Sequence, residues 1–275
     1  MTNVLLHGKN GRTTCEAIIA KMEDTVLIRK RVGRQFTPAP PENVGTLIRW
    51  AVPATIQAEK TFQERGAISL AFNKGEAREQ LYHYNVPIPM LSETDFPIIG
   101  RPAHHRAGQG FFWCETLEDI EKARVNGATY FSQFYPKTRE FRFHVGSGYI
   151  LIGSEKMMPE DFDGKIFNYE NGAYFRRVRW SEWSLDAVKI AIRAVKVLGL
   201  TYGAVDIMGY PTDQNFPPFV VAEVNTSPSI SSDYNATLYA EYFSWLIKTS
   251  SDWVDIDAER PQDFAFRKYH RREND

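Results

Sequence analysis

The sequence predicts an α+β fold: a small parallel α/β unit at the N-terminus, followed by helices interleaved with antiparallel strands. Three observations carry this. The first 72 residues alternate short apolar segments with helical ones. Between Thr129 and Lys156, three segments alternate apolar and polar residues, and Gly146-Ser147-Gly148 joins the last two as a hairpin. Further on, Leu185, Val188, Ala191, Ile192, Val195 and Leu198 recur at helical spacing, just ahead of two more strand segments.

In chain order, Asn3 to His7 is a short apolar strand and Gly8-Lys9-Asn10-Gly11 a turn. Thr13 or Thr14 caps a helix carrying Ala17, Ile18 and Met22. Val26 to Ile28 is a second strand, and Pro38, Pro40 and Pro41 mark a loop. Thr46 to Ala51 is a strand, Ile56 to Arg65 a helix and Ala67 to Phe72 another strand. Asn73 caps a helix bearing Ala77, Leu81 and Tyr84, which ends at Val86-Pro87-Ile88-Pro89. Phe96 to Gly100 is a strand that feeds a polar loop running to Gly110. Thr116 with Asp119 is a capping box with Asp in place of Glu. Ser184 starts the strongest helix and Gly199 stops it. Strands over Tyr202 to Met208 and Phe219 to Asn225 and a helix over Asn235 to Lys248 complete the pattern.

Bulk properties narrow the function. The 275 residues exceed one minimal core and suit up to three associated subdomains. A formal net charge of -1 argues against a nucleic-acid partner. The basic run from Arg267 to Arg272 reads most simply as a solvated tail. Two cysteines, Cys15 and Cys114, build neither a disulfide framework nor a four-thiolate site, which suits a reduced, cytoplasmic protein. The chain shows no apolar run of membrane-spanning length and no secretory signal pattern, so no membrane partner is expected.

Three groups of residues carry chemistry. Asp206 lies near the end of one predicted strand, with Glu223 and Asn225 at the end of the next. Residues two apart on a strand share a face, so these three oxygen donors suit magnesium held together with phosphates. The plainer alternative is a pair of solvated acids. Arg101 and Arg106, in the loop that carries Gly108 and Gly110, offer charge and backbone N–H groups to phosphate oxygens. His104 and His105 there are phosphate-facing or solvated rather than metal ligands. Glu140 and Arg142 share a strand face near Lys156 on the hairpin partner. Either the cations here face a triphosphate, or the group is a cross-strand surface ion pair.

Taken in order, these pieces resemble the ATP-grasp superfamily, in particular its branch containing ribosomal-protein glutamate ligase and D-alanine–D-alanine ligase. The resemblance spans roughly residues 70 to 232 and extends to small bacteriophage members of similar appearance. The family's first nucleotide lysine matches Lys74, ahead of Asn85-Val86-Pro87-Ile88-Pro89, and its second matches Arg101 in Phe96-Pro97-Ile98-Ile99-Gly100-Arg101-Pro102. Gln133-Phe134-Tyr135 stands at the adenine-contacting hinge, without the usual ribose-binding acid after it. Glu140-Phe141-Arg142 matches the "D-x-R" strand, Lys156 the cation on the following strand, and Asn168 and Gly172 a glutamate-ligase segment "x-N-l-x-x-G-g". Gly203-Ala204-Val205-Asp206 and Ala222-Glu223-Val224-Asn225-Thr226-Ser227-Pro228 match the metal block.

The resemblance implies two α+β subdomains that clamp ATP. The chain then divides into an N-terminal unit (1–72), a small subdomain with the glycine loop (73–136), a C-terminal subdomain with the metal site (137–256) and a tail (257–275). It implies ATP and two Mg2+ ions held by Asp206, Glu223 and Asn225. The nucleotide falls to Lys74, Arg101, Arg106, Gly108, Gly110, Gln133, Phe134, Tyr135, Glu140 and Asn168, and Arg142 and Lys156 are catalytic. The expected activity is a carboxylate–amine ligase working through an acylphosphate. Arg101 in place of lysine keeps a second reading in play, an ATP-binding regulatory module. A third is an amino-acid or peptide ligase modifying a protein or nucleic acid. Arg12, His7, Arg49 and Trp50 are substrate-contact or structural residues, and a homodimer is left open.

Overall fold

The computed structural model describes residues 1–8, 11–31, 35–105, 108–160, 162, 169–210, 216–230, 232–249 and 253. Arg106, Asn168 and the basic tail lie outside the described residues.

The N-terminal sheet comprises β1 (Thr2–His7), β2 (Thr25–Lys30), β3 (Phe36–Thr37), β4 (Val44–Trp50) and β5 (Lys60–Phe62), in the order β3-β2-β1-β4-β5. All neighbours are parallel except β2 and β3. Helix α1 (Arg12–Ile19) crosses between β1 and β2. Its first turn has no side-chain cap and Gly11 precedes it, so the expected threonine cap is absent. Thr14 is buried within the helix instead, and its hydroxyl accepts from the Ile230 N–H at 3.2 Å.

The stretch from Ile56 to Phe72 reverses the expected order. The helix anticipated over Ile56 to Arg65 is replaced by β5, and the strand anticipated from Ala67 is helix α2 (Arg65–Phe72). Two causes are visible. Ile68 and Ala71 have the three-residue spacing of a buried helical face. Gln63, wholly buried with φ at 66°, sits between β5 and α2. Its amide donates to the Tyr202 carbonyl at 2.7 Å and accepts from the Thr201 N–H at 2.8 Å. These distant bonds outweigh local helix preference.

The central layers follow more closely. Asn73 caps α3 (Lys74–His83) by accepting from the Glu76 N–H. β6 (Ile98–Arg101) pairs antiparallel with β7 (Phe112–Cys114) and β8 (Tyr130–Gln133) in a three-stranded sheet. Helix α4 (Leu117–Val125) begins with both halves of the Thr116/Asp119 capping box.

The second large sheet is antiparallel throughout, ordered β11-β10-β9-β12-β13. Its strands are β9 (Arg139–Gly146), β10 (Tyr149–Met157), β11 (Tyr174–Arg177), β12 (Tyr202–Gly209) and β13 (Phe219–Asn225). β11 was not foreseen. One face carries Phe141, Phe143, Val145, Val205, Ile207, Val221 and Val224, which pack on α5 (Leu185–Val197) through Val188, Ala191, Ile192 and Val195. Leu185, the first residue of α5, departs from the expected apolar face and is exposed. The opposite face holds the charged residues. Helix α6 (Asp233–Thr249) joins this sheet to the N-terminal unit through an aromatic cluster in which Trp50, Tyr202, Tyr239 and Phe243 meet.

Candidate functional site

Strand register assembles the charged face. On β12, Asp206 stands opposite Arg142 of β9 on one side and Glu223 of β13 on the other. Arg142 stands opposite Ser154 of β10. A register shift between Asp206 and Ile207 pairs Asp206 with Glu223 and Met208 with Val220. Asp206 and Met208 share a face, so their partners Val220 and Glu223 do too, although three residues separate them.

Arg142 donates twice to Asp206, from Nε to Oδ1 at 2.6 Å and from Nη2 to Oδ2 at 2.7 Å. Burial alone would raise the Asp206 carboxyl, but the Arg142 and Lys156 charges hold it well below the usual carboxylate range. Burial likewise works to raise Glu223, and the Lys74 charge brings it down. Both acids are therefore ionised at neutral pH. Asn225 donates to Glu223 Oε1 at 2.8 Å. Lys74 donates to the Val224 carbonyl at 2.9 Å and lies 3.9 Å from Glu223. Glu140 is buried between Lys137 and Lys156 and bonds to both ammonium groups. Burial lowers Lys137, whereas Asp206 and Glu140 raise Lys156 against its own burial.

The donor chemistry fits a hard divalent cation: two ionised carboxylates, one on each of two adjacent strands, and an amide oxygen two residues from one of them. Among the described residues, no three His, Cys, Asp or Glu side chains gather as a metal cluster. The set is two acids and an amide, and Asp206 already serves Arg142.

The predicted glycine loop follows β6. Gly108 and Gly110 both adopt left-handed backbone, φ 80° and 66°, which favours glycine. A Cβ on Gly110 would come within 2.6 Å of the Pro102 ring. Arg101 at the end of β6 donates to His105 Nδ1 at 2.7 Å. His105 thus meets a guanidinium, and His104 Nδ1 sits 3.1 Å from the Phe72 carbonyl.

The hinge residues Gln133, Phe134 and Tyr135 line a cavity of about 500 Å³ with Ile88, Met90, Phe216 and Val220, a size suited to a small-molecule ring system. The N–H groups of Gln133 and Phe134 are engaged by the Met90 and Pro97 carbonyls, both at 2.8 Å. Tyr135 donates its hydroxyl to the Pro217 carbonyl. The cavity walls are mixed, with the apolar side chains of Ile88, Met90, Phe134 and Val220 beside the polar ends of Gln133 and Tyr135. Val220 lines the cavity and Glu223 lies three residues on, about 10 Å along the strand.

Two sequence candidates prove structural. Arg49 is buried and donates to the Ala54 and Gln63 carbonyls, at 2.8 and 3.0 Å. Trp50 is buried and stacks on Tyr202 with centroids 5.5 Å apart. Arg12 pairs with Glu16 at the surface, and His7 is buried against the Gly8 carbonyl. Sequence reasoning gave no role to Lys137, Arg78 or His144. Arg78 lies four residues after Lys74 on a helix, the same-face spacing that could have found it. His144, two residues after Arg142, is buried and meets the Tyr239 hydroxyl at 2.9 Å.

No family model matches the chain, and no curated protein sequence matches it. Solved structures do. D-alanine–D-alanine ligase from Bacillus anthracis superposes with a TM-score of 0.63 at 14% identity, covering 91% of this chain and 97% of that one. The ATP-grasp ligase PsnB, complexed with a phosphomimetic variant of its minimal precursor, Mg and ADP, gives 0.60 at 12%, over 90% and 99%. The macrocyclase MdnC from Microcystis aeruginosa MRC, bound with precursor peptide MdnA, gives 0.59 at 14%, over 88% and 98%. Coverage of nearly the whole of both chains in each case, at low identity, establishes the architecture: this chain has the ATP-grasp fold.

Proposed function

We propose that the chain is an ATP-dependent carboxylate–amine ligase. The observation that carries this is the row Arg142–Asp206–Glu223 across three strands, with Lys156 and Lys74 beside it, on the same sheet face as a hinge-lined cavity. Phosphoryl transfer needs positioning and charge stabilisation more than it needs a nucleophilic side chain, and this face offers both. The division into an N-terminal unit (1–72), a small subdomain (73–136) and a C-terminal subdomain (137–256) accompanies the proposal.

In this reading the base occupies the cavity at Gln133, Phe134 and Tyr135, and the phosphates run along β13 towards Glu223. Asp206, Glu223 and Asn225 would hold Mg2+, which when bound screens the triphosphate's charge. A substrate carboxylate oxygen attacks the γ-phosphorus, ADP leaves, and an acylphosphate results. An amine then attacks the acyl carbon and phosphate leaves. Arg142 and Lys156 stabilise the charge that develops in each step, and Glu140 fixes Lys156 in place. The loop at Gly108 and Gly110 excludes water from the acylphosphate. Arg106 and Asn168 keep their proposed nucleotide-binding roles.

Two buried free cysteines, Cys15 and Cys114, support a reducing, cytoplasmic setting. Among the described residues, no helix is long and apolar enough to cross a membrane. The test is ADP release over a panel of acids, amines and short peptides: turnover requires a carboxylate and an amine together, and Glu223→Gln abolishes it. Undiminished turnover in that variant refutes the metal assignment.

A further inference from the structure

A second charged cluster sits on α3, β6 and β8, apart from the cations of the large sheet. Arg101 must be the donor to His105 Nδ1, since a guanidinium has no acceptor. Burial, reinforced by the Arg101 charge, holds His105 down at about 4, so its ring is neutral. Its one proton is then on Nε2, which donates to the Tyr130 hydroxyl at 2.9 Å. The Tyr130 ring lies 5.5 Å from the Arg78 guanidinium. Arg78 in turn donates from Nη2 to the carbonyl of Ala222, the residue before Glu223, at 2.9 Å.

Each guanidinium is thus anchored on one side only. Arg78 Nη1 and Arg101 Nε are buried and have no hydrogen-bond partner among the described residues. Buried cationic donors of this kind call for an acceptor. The charge balance points the same way: Lys74, Arg78 and Arg101 all act on His105, and Glu223 is the carboxylate that answers them. Two held guanidiniums with spare donors, in a region of net positive charge, match a chain of phosphate groups.

We propose that Arg78 is a phosphate-binding residue, working with Arg101, and that His105 and Tyr130 are positioning residues that hold the two guanidiniums in place. This rests on the nucleotide reading above and deepens it by assigning the phosphate chain to the α3 side of the cleft. It also gives Arg101 a rationale where the resemblance implies lysine. A planar fork can be held by His105 through one N–H and still present another, whereas an ammonium has no fixed fork.

The test titrates the full chain with adenosine, ATP and inorganic tripolyphosphate in Mg2+ by calorimetry, with melting curves alongside. Arg78→Met is expected to weaken ATP and tripolyphosphate by about tenfold or more and to leave adenosine unchanged. Arg78→Lys recovers part of that loss. His105→Ala weakens both phosphate ligands less than Arg78→Met does, again sparing adenosine. Wild-type affinity for ATP and tripolyphosphate in Arg78→Met overturns the proposal, as does an equal loss of adenosine, which marks a merely structural arginine. If Arg78→Met does not fold, Arg78→Lys decides: weaker ATP with unchanged adenosine supports the proposal, and unchanged ATP overturns it. A wild-type chain that binds tripolyphosphate through Arg78 but no adenosine upholds this inference and sinks the nucleotide reading. One that binds adenosine but no tripolyphosphate does the reverse.

Discussion

Arg142 and Asp206 face each other across β9 and β12 and share two parallel hydrogen bonds of 2.6 and 2.7 Å, largely shielded from water. Removing one partner strands a buried charge, which costs more than the pair contributes. Arg142→Met is therefore expected to lower unfolding stability by about 3–5 kcal/mol, and a compensating Asp206→Leu in the same chain to recover part of it. Urea denaturation reads this directly. An Arg142→Met chain with an unchanged midpoint would show that the pair is not buried as described.

Met90 lines the hinge cavity from a half-exposed loop. Met90→Trp fills that space with little disturbance to the core. The expected result is a loss of adenosine and ATP affinity of about tenfold or more, with tripolyphosphate binding retained. Unchanged adenosine affinity would place the base elsewhere.

His144 supplies a pH dependence. Burial, assisted by the Arg142 charge, lowers its imidazole to about 3, against 6.5 when exposed. Between those values the unfolded chain binds a proton that the folded chain does not. The contribution is complete above pH 6.5 and falls as pH drops towards 3, by about 1.4 kcal/mol per pH unit. His144→Gln should flatten this part of the stability–pH profile. A variant with the wild-type slope would assign the dependence to another group.

Gln63 ties the N-terminal unit to β12. Its buried amide bonds both the carbonyl of Tyr202 and the N–H of Thr201. Gln63→Ala leaves these backbone groups without partners, and the expected cost is about 2–4 kcal/mol, seen as a lower melting temperature. A melting temperature within a degree of wild type, against the several degrees that such a cost implies, would mean that water replaces the amide freely.

The same residue explains where the fold was not legible in the sequence. Helices α3, α4 and α5 announce themselves through local signals: Asn73, the Thr116/Asp119 box, and Ser184 with the apolar stripe that follows it. The stretch from Ile56 to Phe72 does not, because Gln63 and Arg49 set its path through bonds to residues far away or across strands. Strand β11 is short and exposed along its whole length, so its sequence carries no burial pattern. Within the site, the two-residue spacing of Glu223 and Asn225 was legible. The pairing of Arg142 with Asp206, and the shift that puts Val220 on the side of Glu223, depend on register between strands. Arg78, His105 and Tyr130 come together only when α3, the β6 loop and β8 are folded, and only His105 falls in a motif the sequence displays.

Oxygen transfer tests the ligase account most directly. The chain is incubated with ATP, Mg2+, an amine and a panel of amino acids and short peptides labelled with 18O in their carboxyl groups. Released phosphate is then analysed by mass spectrometry. The account predicts phosphate carrying one 18O atom, because the attacking carboxylate oxygen leaves with phosphorus, and predicts no labelled phosphate from Glu223→Gln. ADP released with wholly unlabelled phosphate would contradict it.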